Sequence, residues 1–421
     1  MQPNHKRLGA VRLSAVRRKA KQLSATKLSV LRRRRVKRVL IGVFAASAVL
    51  ADAGAAAAQA VSANEQVAIT SPPAGSAEWV ADHSLGRSLP DPATASATVV
   101  ATFFASLTPE QTTRLIAEYP LVVGNLDGAP LQTRYQANRL AIAAERDKAR
   151  ARANDTKLDA DTRALALSRA NDSEGLLAKG RQILAFDPRG RGLVSEVYGD
   201  LASAQRVAVL VPGSDADLAH FDQTADPLRS PAGMARALLA EEHRQDPNAH
   251  TAVIAWTGYV TPSGLGPDAV TSRLAEAAAP RLARLLSGLA VTSSPAAPPA
   301  LFCHSYGSVV CGVAAPRIHD GLRTDLVVFG SPGMGVQNAA ELGDGVRVWA
   351  TRNPTDWIGN VPYLEVGGLG HGADPTGPDF DAVQVSSAGA AGHTGYLSPH
   401  TASLRNFGSI ALGDYGDVTH P

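Results

Sequence analysis

Three kinds of residue in this chain could do nucleophilic chemistry together: a serine on a tight turn, a carboxylate and a histidine. The serine is Ser305, within Leu301-Phe-Cys-His-Ser-Tyr-Gly-Ser-Val-Val-Cys311. An apolar entry, Pro299 to Cys303, runs into His304-Ser305-Tyr306-Gly307, and a stretch rich in Val, Ala and Gly follows. The pattern predicts a short buried strand, a sharp turn and a helix packed closely on a sheet. A serine on such a turn stands out at the top of the sheet on a strained backbone. The helix N-terminus behind it offers free N–H groups to a developing negative charge. The usual form is Gly-x-Ser-x-Gly; here Cys303 stands at the first glycine.

A serine nucleophile needs a base to take its proton, and an acid to orient that base and balance its charge. For a serine on a strand-to-helix turn of an α/β sheet, the expected order along the chain is serine, acid, histidine. Asp356 follows the strand-like Val346-Arg-Val-Trp-Ala350, in Thr351-Arg-Asn-Pro-Thr-Asp356, where ligand sites gather in open parallel sheets. His393 lies after the last strand, in the loop Ala388-Gly-Ala-Ala-Gly-His-Thr-Gly-Tyr396. Other candidates fit less well. His371 precedes the last strand, His400 opens an expected helix where capping explains it, and His304 should point into the sheet or a neighbouring wall. Asp374 and Asp379 are the alternative carboxylates, with loop hydrogen bonding their ordinary use. A tetrahedral intermediate needs two backbone donors. The expected ones are the N–H of Tyr306 and one after the strand Val207–Val211, at Ser214 or a neighbour.

The elements that must position these groups alternate in type. Apolar runs at 182–186, 193–198, 207–211, 252–256, 325–329, 346–350 and 382–386 read as strands, and helical patterns fill 231–243 and 268–287. Strands separated by helices predict an α/β fold with a mostly parallel, doubly wound sheet. The first two runs flank Asp187-Pro-Arg-Gly190 and suggest an antiparallel hairpin. Residues 96–180 read as helical. Thr108-Pro-Glu-Gln111 is a good helix start and Pro120 stops that helix. This segment precedes the sheet and is a candidate cap over the site. Charge runs such as Glu145-Arg-Asp-Lys148 read as solvated helix faces.

The N-terminus has its own character. Residues 1–38 hold 14 of the 41 Lys and Arg and no acid, so the remaining chain, with 38 acids, is net negative although the total is +3. An acidic body argues against a nucleic-acid surface. The basic stretch runs into an apolar one, Val39–Ala51, then Ala55-Ala-Ala-Ala-Gln-Ala60. Residues 1–62 therefore read as a basic N-terminus with a signal peptide or membrane anchor. That implies a secreted protein or one held on the outer face of the membrane. Residues 63–95 read as a linker, 96–180 as the helical segment and 181–416 as the domain carrying the site. With 421 residues, 45% hydrophobic, there is ample material for a core. The only two cysteines, Cys303 and Cys311, are expected to be reduced, buried small hydrophobes, because helical rise alone separates them too far for a disulfide. Nothing signals a metal, nucleotide, flavin or other cofactor.

Several stretches together are similar to one family: Gly124-Asn-Leu-Asp-Gly128, Ala137-Asn-Arg139, Val209-Leu-Val-Pro-Gly213, His304-Ser-Tyr-Gly307, Gly330-Ser-Pro-Gly333, Val348-Trp-Ala-Thr-Arg352, His371-Gly-Ala-Asp374, Gly392-His-Thr-Gly-Tyr396 and Ser403-Leu-Arg-Asn406. They resemble an α/β-hydrolase family of high-GC Gram-positive bacteria catalogued as a domain of unknown function. The likeness spans roughly 100–413, so it includes the helical segment. It implies an α/β-hydrolase fold with Ser305, Asp356 and His393 as the triad, but no substrate. The expected activity is cleavage of an acyl bond, with a carboxylic ester of a small-molecule or lipid-like substrate favoured. The alternative is a non-catalytic envelope binding protein that keeps the fold.

Overall fold

The computed structural model describes residues 70–293, 295–318 and 323–421. The basic N-terminus and apolar run expected at 1–62 lie outside the described residues. Among the described residues, no helix is long and apolar enough to cross a membrane.

The sheet has eight strands: β1 Gln182–Asp187, β2 Leu193–Gly199, β3 Arg206–Val211, β4 Thr251–Thr257, β5 Ala300–His304, β6 Thr324–Phe329, β7 Val346–Thr351 and β10 Val383–Gln384, in the order β1-β2-β4-β3-β5-β6-β7-β10. A separate hairpin holds β8 Glu365–Val366 and β9 Leu369–Gly370. The expected β1–β2 hairpin is antiparallel, and β2 pairs antiparallel with β4. Every pairing from β4 through β10 is parallel. β3, β4, β5 and β6 are almost entirely buried, as continuous apolar runs covered on both faces should be.

Helices cover both faces. One core gathers inward residues of the central strands with α8 Arg273–Thr292 and α9 Gly307–Ala314. The other packs Phe302, Phe329 and Phe407 with α7 Pro231–Gln245 and α10 Ala402–Leu412. The helix expected at 268–287 begins five residues later. Pro267–Val270 forms a 3-10 turn, and Asp268 pairs with Arg273. The helix after Ser398 starts at Ala402 with Thr401 as its cap, leaving His400 outside it at φ +67°.

The segment before the sheet contains α1 Ser76–Ala81, α2 Ala97–Ala105, α3 Pro109–Glu118, α4 Pro120–Asn125, α5 Leu131–Ala153 and α6 Ala160–Leu176. Thr108 and Gln111 form the reciprocal cap at the start of α3. The linker expected at 63–95 is a correction. From residue 70 it is structured, because Trp79 of α1 is fully buried against Phe103 and Tyr119 and donates its indole N–H to Pro90 O at 2.7 Å. A single tryptophan buries enough apolar area to anchor a stretch without periodicity. The helical layer docks on β1. Asn138 donates its amide hydrogens to Gly124 O (3.0 Å) and Ile183 O (2.9 Å), and Asn125 reaches Phe186 O at 2.7 Å. β1 is the sheet edge, with three strands between it and β5.

The cysteines are a second correction. Cys303 and Cys311 form a disulfide, with Cα atoms 6.5 Å apart and no exposure. Helical rise would carry them apart only if strand and helix ran on in one direction. The turn at Ser305 reverses the chain, so α9 runs back alongside β5 and returns Cys311 to the level of Cys303.

Candidate active site

The site is built where β5 turns into α9. Ser305 sits between them at φ +52°, one of four non-glycine residues with positive φ among those described. Two contacts make the turn tight. A Cβ on Gly307 would lie 2.2 Å from Val211 O, so only glycine lets α9 start this close to β3. A Cβ on Gly213 would lie 2.6 Å from Ser305 Cβ, so the loop after β3 passes directly over Ser305. Beneath the turn, Ser308 donates to Ser305 O at 2.6 Å and also meets Ser331. The Ser305 N–H is spent on Phe329 O at 3.0 Å.

Ser305, His393 and Asp356 come together, although 88 residues separate the first pair. His393 Nε2 accepts from Ser305 Oγ at 2.9 Å. Its Nδ1–H donates to Asp356 Oδ1 and Oδ2 at 2.9 and 3.1 Å. The three side chains follow β5, β7 and β10, neighbours on one rim of the sheet apart from the intervening β6. Asp356 is buried and caps the 3-10 turn Trp357–Asn360 by accepting from Ile358 N at 2.9 Å. Burial alone would push its carboxyl up. The hydrogen bonds from His393, Tyr396 and Ile358 outweigh that and hold it below its ordinary value, so it stays a carboxylate.

The loop carrying His393 is gripped from several sides. His304 Nε2–H donates to His393 O at 2.8 Å, and its ring stacks on Phe329. Burial pushes the His304 imidazolium down to about 3, so the grip is made by a neutral ring. Asn353 donates to Gly392 O at 2.6 Å, and Thr355 Oγ1 accepts from Gly392 N at 2.8 Å. Tyr396 OH donates to Asp356 Oδ2 at 2.6 Å and accepts from Asn353 N.

Tyr306 directly follows Ser305, and Ser214 follows Gly213, which packs against Ser305; neither the Tyr306 nor the Ser214 backbone N–H meets a protein acceptor among the described residues. The Tyr306 side chain is buried, with its OH donating to Thr271 O at 2.7 Å. The remaining candidates lie elsewhere. His371 is buried, with Nε2–H on Ala269 O at 2.8 Å and its ring edge-on to Tyr306. His400 is exposed, and so is Asp379. Asp374 pairs with Arg352 and holds its own loop through Thr376 N. No group of three or more His, Cys, Asp or Glu among the described residues is placed to hold a metal ion. A cleft of about 440 Å³ lies behind the His393 loop, lined by residues such as Thr351, Gln384 and Ala388, rather than over Ser305.

Sequence reasoning missed Tyr396, Asn353 and Thr355 as partners of the acid and the histidine. Their signal was proximity: Tyr396 is three residues past His393, and Asn353 three before Asp356. Short loops return such neighbours to the group they support. His304, expected to point into the sheet or a neighbouring wall, holds the main chain of His393.

The arrangement can transfer an acyl group. It has a hydroxyl on an imidazole, the imidazole on a buried carboxylate, and an unspent backbone N–H on the residue after the serine.

Residues 187–366 match a family model described as alpha/beta hydrolase. That span includes Ser214, Ser305, Tyr306 and Asp356; His393 lies beyond it. An uncharacterized protein of Mycobacterium tuberculosis strain H37Rv is 29% identical over 387 residues, covering 78% of this chain and 57% of its own length. A second uncharacterized protein of that strain is 35% identical over 163 residues, covering 38% of this chain and 59% of its own. The chain thus spans less than two thirds of these curated relatives. Among solved structures it is similar to the esterase PE8, with 18% identity and a TM-score of 0.31 over 54% of this chain and 99% of that one. It is also similar to 2,6-dihydroxy-pseudo-oxynicotine hydrolase, with 11% identity and a TM-score of 0.30 over 84% and 93%. With its parallel sheet, its strand-turn-helix at Ser305 and the matched segment around them, the chain has the α/β-hydrolase fold.

Proposed function

We propose that the protein is a serine hydrolase that cleaves a carboxylic ester through a covalent acyl-enzyme. The observation that carries this reading is the unbroken hydrogen-bonded chain from Ser305 Oγ through His393 to Asp356. His393 Nε2 takes the Ser305 proton as Oγ attacks the ester carbonyl carbon, and the carbonyl oxygen becomes an oxyanion held by the N–H groups of Tyr306 and Ser214. The imidazolium then gives its proton to the departing alkoxide oxygen, and the alcohol leaves. Water enters and loses a proton to His393. The resulting hydroxide adds to the acyl carbon. Ser305 Oγ departs with the proton returned from His393, and a carboxylic acid is released. Asp356 stays ionised throughout and balances the imidazolium, while Tyr396 and the Ile358 N–H keep it aimed.

A scaffold with no chemistry has little use for this arrangement. A positive-φ serine costs stability that a reacting site makes useful. The disulfide Cys303–Cys311 supports an oxidising compartment, in keeping with the export signal read in residues 1–62. We therefore place the protein outside the cytoplasm, secreted or anchored to the outer face of the membrane, acting on a small-molecule or lipid-like ester.

A fluorophosphonate probe tests the reading. Ser305 should be labelled, Ser305→Ala should not, and p-nitrophenyl esters of graded chain length should be turned over by the wild type alone. No labelling of the wild type, under conditions that label a control hydrolase, would sink it.

A further inference from the structure

The chain has four tryptophans, and three are buried: Trp79, Trp256 and Trp349 expose 0%, 3% and 4%. The fourth, Trp357, is half-buried. It directly follows Asp356, and its ring centroid lies 4.7 Å from that of His393, with the planes at 43°. Trp79 and Trp349 donate their indole N–H to Pro90 O and Asp325. The Trp357 N–H meets no acceptor among the described residues. The other rings near the nucleophile are already packed: Tyr306 is 2% exposed, and His304 is 5% exposed between Phe329 and His393. Among these rings only Trp357 presents an open surface, and it does so beside the base.

Position gives that surface a job. The group that protonates a leaving oxygen must stand within hydrogen-bond reach of it. The departing alcohol therefore passes alongside His393, the ring that the half-open indole flanks. A partly open indole is flat, polarisable and apolar, and it pairs best with another flat ring.

We propose that Trp357 is the platform for the leaving group, so that the site selects esters whose alcohol carries an aromatic ring. This rests on the serine-hydrolase reading above and deepens it to a class of substrate.

The test compares benzyl acetate with cyclohexylmethyl acetate. The two alcohols are close in size and acidity and differ in whether the ring is flat and aromatic. The wild type should prefer the benzyl ester. Trp357→Leu should lower the benzyl-to-cyclohexylmethyl ratio of kcat/KM by roughly 3- to 10-fold, the worth of one aromatic pair, with the fall carried by KM. Trp357→Phe should keep most of the preference. Benzyl alcohol should also inhibit the wild type at lower concentration than cyclohexylmethanol, a measurement that needs no variant to fold. A ratio unmoved in Trp357→Leu, or equal inhibition by the two alcohols, overturns the platform. If those results come from protein whose Ser305 is labelled by fluorophosphonate and whose esters are hydrolysed, the hydrolase reading stands and only the platform falls. If the wild type is neither labelled nor active on either ester, both fall.

Discussion

Two regions of this molecule are built from buried polar side chains, and they do different work. At the β1 edge, Arg134, Asn138 and Asn125 donate to main-chain carbonyls of Gly124, Ile183 and Phe186, tying the helical layer to the sheet. At the rim, Asp356 and His393 pass hydrogen bonds along to Ser305, and the series ends on a hydroxyl that has no further protein partner. Both regions carry short motifs that look equally specific in the sequence. A buried polar cluster becomes a candidate site when its last member has nothing left to satisfy but a substrate. The edge cluster ends on backbone.

The sharpest way to break this contrast is to delete each end. Ser305→Ala should lower kcat by about 10⁴-fold or more while leaving the thermal melt nearly unchanged. A melt that drops with activity would mean that the rim serves the fold as the edge does.

A third buried polar group belongs to neither region. Glu242 of α7 is 1% exposed, and burial raises its carboxyl to about 7. Its folded value lies above its unfolded one, near 4.5. Its contribution to stability is therefore complete below about pH 4.5 and is lost as pH rises through about 7, where the fold must bury a charge. Urea titrations should find Glu242→Gln close to wild type at pH 4.5 and about 3 kcal/mol more stable at pH 8. A gap independent of pH would show that the carboxylate has a partner in the fold.

The disulfide sharpens the rim itself. Replacing both Cys303 and Cys311 by serine should cost about 2–3 kcal/mol in urea unfolding, the loop-closure worth of so short a loop. It should also slow fluorophosphonate labelling of Ser305, because the bridge ties the strand before that residue to the helix after it. Labelling at the wild-type rate would show that the turn holds its shape without the bridge.

The edge gives the complementary case. Asn138→Ala strands two buried carbonyls and should cost about 2 kcal/mol, with the kcat of the folded fraction unchanged. The smallest effect should come from Tyr396→Phe. It removes one of the donors to Asp356 and should reduce kcat about tenfold with KM nearly constant. A change in KM instead would place Tyr396 on the substrate side.

Much of this was legible before any coordinates. Continuous apolar runs marked the buried strands within a residue or two, because burial on both faces leaves no polar positions. Thr108, Pro109 and Gln111 marked a helix start, because capping is local chemistry. Ser305, Asp356 and His393 could be named from the order of strands and loops, and the fold brings those residues together.

What the chain determined by itself was local: which stretches extend or coil, where they stop, and which residue types stand at the strand ends. Only the tertiary structure decided what lay across the gaps. It paired Cys303 with Cys311, set Tyr396 on Asp356, put His304 under the main chain of His393, left Trp357 open beside it and anchored Trp79 in a stretch that read as a linker. The reason is that periodicity and capping act over a few residues. Chain reversal at a turn and packing of distant loops on one sheet rim depend on the whole fold, and no spacing in the sequence records them.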